Sequence, residues 1–432
     1  MKKVLIITYY WPPSGGPGVQ RVLNFVKHLP NWDWEPHVLT VIDGEYPALD
    51  HSLIKEIRPT CSVYKTYAFE PNVIYKKFTG KSLNDPLPVA TVSEKQKNWK
   101  EKFSKWIRLN LFIPDAKIGW KPFAVHSGKK LISKIKPDLI LSSSPPHTVH
   151  LIAKKLARWS QLPWIADFRD PWTMIYHYDN VRRIQFIQNF EKKIEQDVLQ
   201  QATHLVTVSD NVREILDIHS LHKTKFTIIP NGFDTEKISS LAQIPKSEKF
   251  TIAYAGKLNH QQNAENLWNA VDHLLAEDRA FPKDLEIKFM GNISQQMIGE
   301  FKNYKFGEKI KYMGYQDHLA MLKILKSSAV LLLLIANTRH NKGILSGKIF
   351  DYLSTRNYIL GIGPTDGDAA QILTDTNCGH MYNYDENLKR VISNLYLNWK
   401  KGTIYRPKES EIEKYSRKNL TRKLVELMDK LV

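Results

Sequence analysis

The chain has 432 residues, too many for one ordinary domain, and predicts two units of roughly 200 residues each. Its formal charge of +18, with ample apolar and aromatic residues for real cores, calls for anionic partners: nucleic acid, an anionic membrane surface or phosphorylated small molecules. Only two cysteines, Cys61 and Cys378, occur, which excludes a disulfide framework and a cysteine-based zinc site and fits a reducing compartment. The segment 1–8 is too short for a signal peptide, and the apolar run AVLLLLIA at 329–336 falls far short of the ~20 residues of a membrane span. A cytoplasmic protein is expected.

In chain order, apolar runs without period-2 alternation mark buried parallel strands at 3–8, 36–42, 138–144, 163–168, 204–209 and 226–230. A second series follows at 250–256, 285–291, 310–315, 329–335 and 358–363. Helix-like stretches separate them, which predicts an α/β chain with two doubly wound sheets. The polar, turn-rich segment 231–249 reads as the linker, and 419–432 reads as an amphipathic terminal helix.

Residues 70–130 break this rhythm. There Trp99, Phe103 and Trp106 share a helical face among Lys95, Lys97, Lys100, Lys102, Lys105 and Arg108. Such a segment suits an interfacial helix on anionic lipid, or equally a helix docked on the first domain with a solvated lysine face.

The first loop, YYWPPSGGPGVQR at 9–21, places Gly16 and Gly18 like the start of a dinucleotide turn. Arg21 stands where the third glycine belongs, and several residues separate strand from glycines, which argues against NAD despite Asp43 after the second strand. What survives is a glycine-rich loop at the carboxyl edge of the first sheet, expected to cover a ligand.

In SGKIFDYLS, Lys348 falls in a first helical turn and Asp351 three residues on. Either the two form a surface ion pair, or the helix start and the lysine bind a diphosphate while the carboxylate takes ribose hydroxyls. In ADFRDPW, the charges of Asp167, Arg169 and Asp170 follow an apolar strand. They form a structural ion-pair cluster or face a ligand at that edge. His147 and His150 follow another strand end in SSSPPHTVH.

Taken with IPDAKIGW, VTVSD, IIPNGFD, AYAGKL and GIGPTDGDAAQIL, these motifs cover essentially the whole chain in order. In them the sequence resembles the family 4 retaining glycosyltransferases of the GT-B fold, in a branch with D-x-R-D and G-K-x-F-E/D-Y-L. The resemblance implies two Rossmann-like domains facing a cleft, an acceptor-binding domain over 1–235 and a nucleotide-sugar-binding domain over 236–410. It also implies a terminal helix, 411–432, crossing back to the first domain.

By the same resemblance Lys257 and Lys348 neutralise the donor diphosphate, and Asp351 holds the ribose. Gly347, and the loop from Gly363 to Asp368, add backbone donors; Gly15 and Gly16, with His147, border the cleft. No metal or other cofactor is implied. A histidine common in such enzymes is replaced within DFRD, leaving Asp170 or Asp167, beside Arg169, as the catalytic carboxylate. Gly343 stands where many relatives carry the first of two glutamates, and Gln262 stands where many carry a second lysine.

The implied activity is retaining transfer of a sugar from a nucleotide donor to a lipid-linked or cell-envelope saccharide in bacterial polysaccharide synthesis. The site would be the cytoplasm, at the inner face of the membrane if 95–112 touches lipid. A nucleotide-sugar epimerase of the same architecture and a basic nucleic-acid-binding protein are the rival readings, although no nucleic-acid-binding module is visible.

Overall fold

The computed structural model describes residues 1–46, 48–69, 106, 110, 112–173, 183–220, 225–239, 241, 243–338, 341–403 and 405–432. The basic aromatic stretch read at 95–112 lies outside these residues, except for Trp106, Asn110 and Phe112.

The chain divides into two compact units. The first comprises Met1–Pro230 and Leu420–Val432, the second Asn231–Asn419. In the first unit, strands β1 (Lys2–Ile7), β2 (Trp34–Val41), β3 (Ser62–Thr66), β4 (Leu139–Ser144), β5 (Trp164–Phe168), β6 (His204–Thr207) and β7 (Phe226–Ile228) form one sheet in the order β3-β2-β1-β4-β5-β6-β7. Every pairing is parallel. One hydrophobic core lies on each face. Trp120, Leu156, Trp164 and Leu216 fill one; Trp11, Leu23, Trp34 and Ile165 fill the other.

The helix Arg417–Asp429 closes that second core with Leu424 and Met428. The Asp429 carboxylate accepts from the Trp34 indole at 3.0 Å and from Lys2 Nζ at 3.0 Å.

The second unit repeats the plan with β8 (Phe250–Ala255), β9 (Leu285–Met290), β10 (Ile310–Gly314), β11 (Val330–Leu334), β12 (Tyr358–Ile362) and β13 (Gly379–Tyr382), in the order β10-β9-β8-β11-β12-β13. All pairs are again parallel. Phe250, Trp268 and Phe289 pack on one face, and Leu331, Phe350 and Tyr352 on the other.

The segment read as linker is more ordered than its composition suggests. It carries the short helix Thr235–Ser239, and Phe233 and Leu241 are buried in a core of the second unit. Parallel sheets collect ligands outside the carboxyl ends of their strands, and each unit presents such an edge.

Candidate functional site

At the carboxyl edge of the first sheet, the loop after β1, expected to cover a ligand, is tethered. Trp11, Ser14 and Gly15 are buried, Gly15 N donates to Ala48 O at 2.9 Å, and Asp50 N donates to Pro13 O at 2.7 Å. Only Gly16, just before the helix Pro17–His28, is exposed.

Arg21, on that helix, reaches β5. Its Nη2 donates to Asp167 Oδ1 at 2.7 Å and its Nε to Asp167 Oδ2 at 2.9 Å, with Ser143 Oγ adding a third bond to Asp167 at 2.6 Å. Both side chains of the pair are 1% exposed. Asp167, a candidate catalytic carboxylate from the sequence, therefore has both oxygens occupied and no exposure. Of the two readings open to this cluster, Asp167 takes the structural ion pair, and Asp170 is the exposed carboxylate of the motif.

Arg169 lies between these. Its Nε donates to Ser144 O at 2.6 Å and its Nη2 to Pro145 O at 2.9 Å. The guanidinium rests on Gly18, where an added Cβ would come within 1.7 Å of Arg169 Nη1. The glycine that imitated a dinucleotide turn thus makes room for an arginine. Gly18→Ala is expected to expel Arg169 from both carbonyls and to lower thermal stability by about 1 kcal/mol or more. A melting curve beside an activity assay checks this, and an unchanged variant would refute the packing role.

His147 completes this edge. It is buried, stacked on Trp172 with centroids 4.7 Å apart and planes within 3°. Burial first, and the Arg169 charge second, push its pKa down to about 3. It is a neutral imidazole at physiological pH. His150, with Nδ1 against Ser142 Oγ at 2.8 Å, is likewise held neutral by burial, with His147 and Arg169 nearby adding to the effect.

In the second unit, the helix Lys348–Thr355 starts at the carboxyl edge directly after Gly347. Lys348 Nζ donates to the Tyr254 hydroxyl at 2.6 Å and sits 4.2 Å from the centre of the same ring. The Tyr254 hydroxyl in turn donates to the Lys257 carbonyl, while the Lys257 side chain is exposed. Gly256, just past β8 with φ +120°, permits this approach, since a Cβ there would meet Lys348 Cε at 2.4 Å. No carboxylate among the described residues pairs with Lys348. Burial alone lowers its pKa to about 7.

Asp351 pairs instead with His318, Nε2 to Oδ1 at 3.0 Å. The Lys348–Asp351 surface ion pair allowed by the sequence spacing is thus not formed. Gln262, in the place of a second lysine, donates to the Tyr254 hydroxyl at 3.4 Å and to Leu334 O at 3.2 Å. It joins the same cluster as a neutral member.

Two expected backbone donors are already engaged. Gly363 N donates to Tyr382 O at 3.0 Å and Asp368 N to Lys342 O at 3.0 Å. Gly363 is close-packed, with Ile335 Cβ 2.9 Å from where its own Cβ would lie. The sequence reading missed Tyr254, which sat unremarked in AYAGKL, and His318, for which no local signal existed.

Among the described residues no group of three His, Cys, Asp or Glu is placed to hold a metal ion, and no helix is long and apolar enough to cross a membrane.

Residues 92–237 match Glycosyltransferase Family 4. No curated protein matches the chain in sequence. Among solved structures, the chain is similar over its full length to sucrose-phosphate synthase from Thermosynechococcus elongatus, at TM-score 0.66 and 12% identity over 99% of that chain. A glycosyltransferase from Rickettsia africae gives TM-score 0.64 and 14% identity, covering 100% of this chain and 98% of that one. The Anabaena protein HepE, solved with UDP-glucose, gives 0.59 and 11% with both chains fully covered. The two parallel sheets and these likenesses together give the chain the GT-B fold, with a Glycosyltransferase Family 4 match running through most of its first unit.

Proposed function

We propose that the chain is a retaining glycosyltransferase that takes a sugar from a nucleoside-diphosphate donor held by the second unit. The acceptor, a lipid-linked or cell-envelope saccharide of a bacterial polysaccharide pathway, is assigned to the first unit. One observation carries this reading. Lys348 is a half-buried amine with no carboxylate partner among the described residues, at a helix start on the carboxyl edge. An unpaired ammonium drawn partly out of water is costly and invites an anion, and a diphosphate suits the adjoining helix N-terminus. The UDP-glucose in HepE and the family match at 92–237 support the same class of donor.

As the bond from the sugar to the diphosphate breaks, negative charge grows on the leaving group and positive character on the sugar. Lys348 then binds the transition state more tightly than the intact donor. Lys257, at the same strand end with its side chain exposed, adds a second cation, and Asp351, oriented by His318, accepts the ribose hydroxyls. The acceptor hydroxyl loses its proton to Asp170 or to the departing phosphate. Asp167 is reserved for Arg21.

Contact with an anionic membrane from the cytoplasmic side fits exposed aromatics on the first unit. Trp106, Phe186 and Phe190 are exposed. Asn110 links their segments, donating to Trp106 O at 2.9 Å and accepting from Ile184 N at 3.0 Å.

A thermal-shift panel of UDP-glucose, UDP-N-acetylglucosamine, GDP-mannose, the free diphosphates and DNA tests the reading. One nucleotide class should raise the melting point with its concentration as mass action requires. A response to DNA alone would replace this reading with the nucleic-acid one, and no response to any diphosphate would end it.

A further inference from the structure

The ADFRDPW turn leaves β5 and enters no regular element before Thr173. Nevertheless Trp172 is fully buried. What holds it comes from the helix Gln185–Gln201, which turns two glutamates, Glu191 and Glu195, inward at 1% exposure each. Residues four apart share one helical face, so both carboxylates face the turn at Trp172 and Thr173. Burying two acids on one face is costly unless each is bonded, and each is.

Glu191 Oε1 accepts from the Trp172 indole at 3.1 Å, and its Oε2 pairs with Arg183. Glu195 Oε2 accepts from the Thr173 hydroxyl and meets His219 Nδ1 at 2.9 Å. Burial raises the Glu191 pKa, an effect opposed by the Arg183 charge and by the bonds from Arg183 and Trp172. Trp172 then carries the constraint to the site edge through its stack on His147, which adjoins Arg169.

We infer that Glu191 is a positioning residue, which through the Trp172 indole fixes the His147 ring and the turn bearing Asp170; Glu195 secures the same turn through Thr173. The role of Asp170 rests on the function proposed above, whereas the placing of His147 and Trp172 does not.

The test uses the full chain and whichever nucleotide sugar of the panel stabilises it. Glu191→Ala should lower turnover, read as nucleoside diphosphate release, roughly tenfold or more. The midpoint of nucleotide stabilisation should stay within about twofold, because that site lies on the other unit. The His147 ring protons, assigned with His147→Gln, should lose the shift that stacking under an indole gives them. Glu191→Gln, whose amide oxygen still accepts the indole N–H, should keep the His147 shift and most of the turnover. If Glu191→Ala does not fold, Glu191→Met, which keeps much of the side-chain volume but accepts no bond from the indole N–H, serves as the second variant, with reduced turnover and a displaced His147 expected. Unchanged His147 resonances and turnover in either folded variant would overturn the inference. A wild-type chain that binds no nucleotide sugar would refute the proposed function alone, since the His147 shift is read without substrate.

Discussion

Lys348→Ala is expected to reduce glycosyl transfer roughly 100- to 1000-fold, the usual loss when one preorganised donor to a developing anion is removed. The same change should leave the fold as stable as before or more so. The wild-type amine is half-buried over Tyr254 with no carboxylate partner among the described residues, so its removal relieves part of a desolvation cost.

The pH dependence has a definite sign. The folded pKa is about 7, against 10.5 for an ordinary lysine. Between those values the unfolded chain holds a proton that the folded chain has released. Wild-type stability therefore rises with pH across that window, and the variant should show a flatter profile. Donor binding runs the other way. The diphosphate prefers the charged amine, so above pH 7 binding must take up a proton. Donor affinity should fall by up to about tenfold per pH unit. Calorimetry in two buffers of different ionisation enthalpy, from pH 6.5 to 8.5, measures both affinity and proton uptake. A flat affinity with no uptake would remove Lys348 from the donor site.

Asp167→Ala should show the opposite pattern, a large loss of stability. Removing one member of a fully buried ion pair leaves the other charge uncompensated and costs about 3–5 kcal/mol. Here Arg21 would keep only its bond to Pro230 O at 2.9 Å and its contact with the Phe25 ring at 5.0 Å. The double change Arg21→Met with Asp167→Leu should recover much of that loss, because apolar residues of similar volume satisfy a dry site. Urea denaturation of the two variants beside the wild type decides the matter. An Asp167→Ala protein with a wild-type midpoint but no turnover would make Asp167 the catalytic carboxylate after all.

Most of the fold was legible because a strand buried on both faces must be apolar at every position. VLLLL illustrates this, with every residue buried. The strands that escaped notice, SVYKT and GHMY, are two of the four edge strands, β3 and β13. Each has a neighbour on one side only and is partly exposed, so no apolar run betrays it. Lys348 was legible as a cation at a helix start. Its setting was not, because the Tyr254 ring beneath it comes from a strand 94 positions earlier. Arg21 counted in the sequence only as a missing glycine, and its partner is 146 residues away. Likewise His318 meets Asp351 only because two helices lie side by side. Local pattern reports burial and helix starts; it carries no record of pairings that the topology creates.

The path of the chain has a consequence for biosynthesis. The segments entering and leaving the second unit run side by side, with Phe233 N donating to Tyr415 O at 3.0 Å and Arg417 N to Phe233 O at 2.9 Å. The first unit's second core then waits for Leu424 and Met428. On the ribosome, the unit begun first is therefore the one finished last. The second unit can close its sheet while its predecessor still exposes the apolar wall that the returning helix will cover. A nascent chain arrested between the two events presents that wall to solvent, which makes this interval the one in which a chaperone has most to bind.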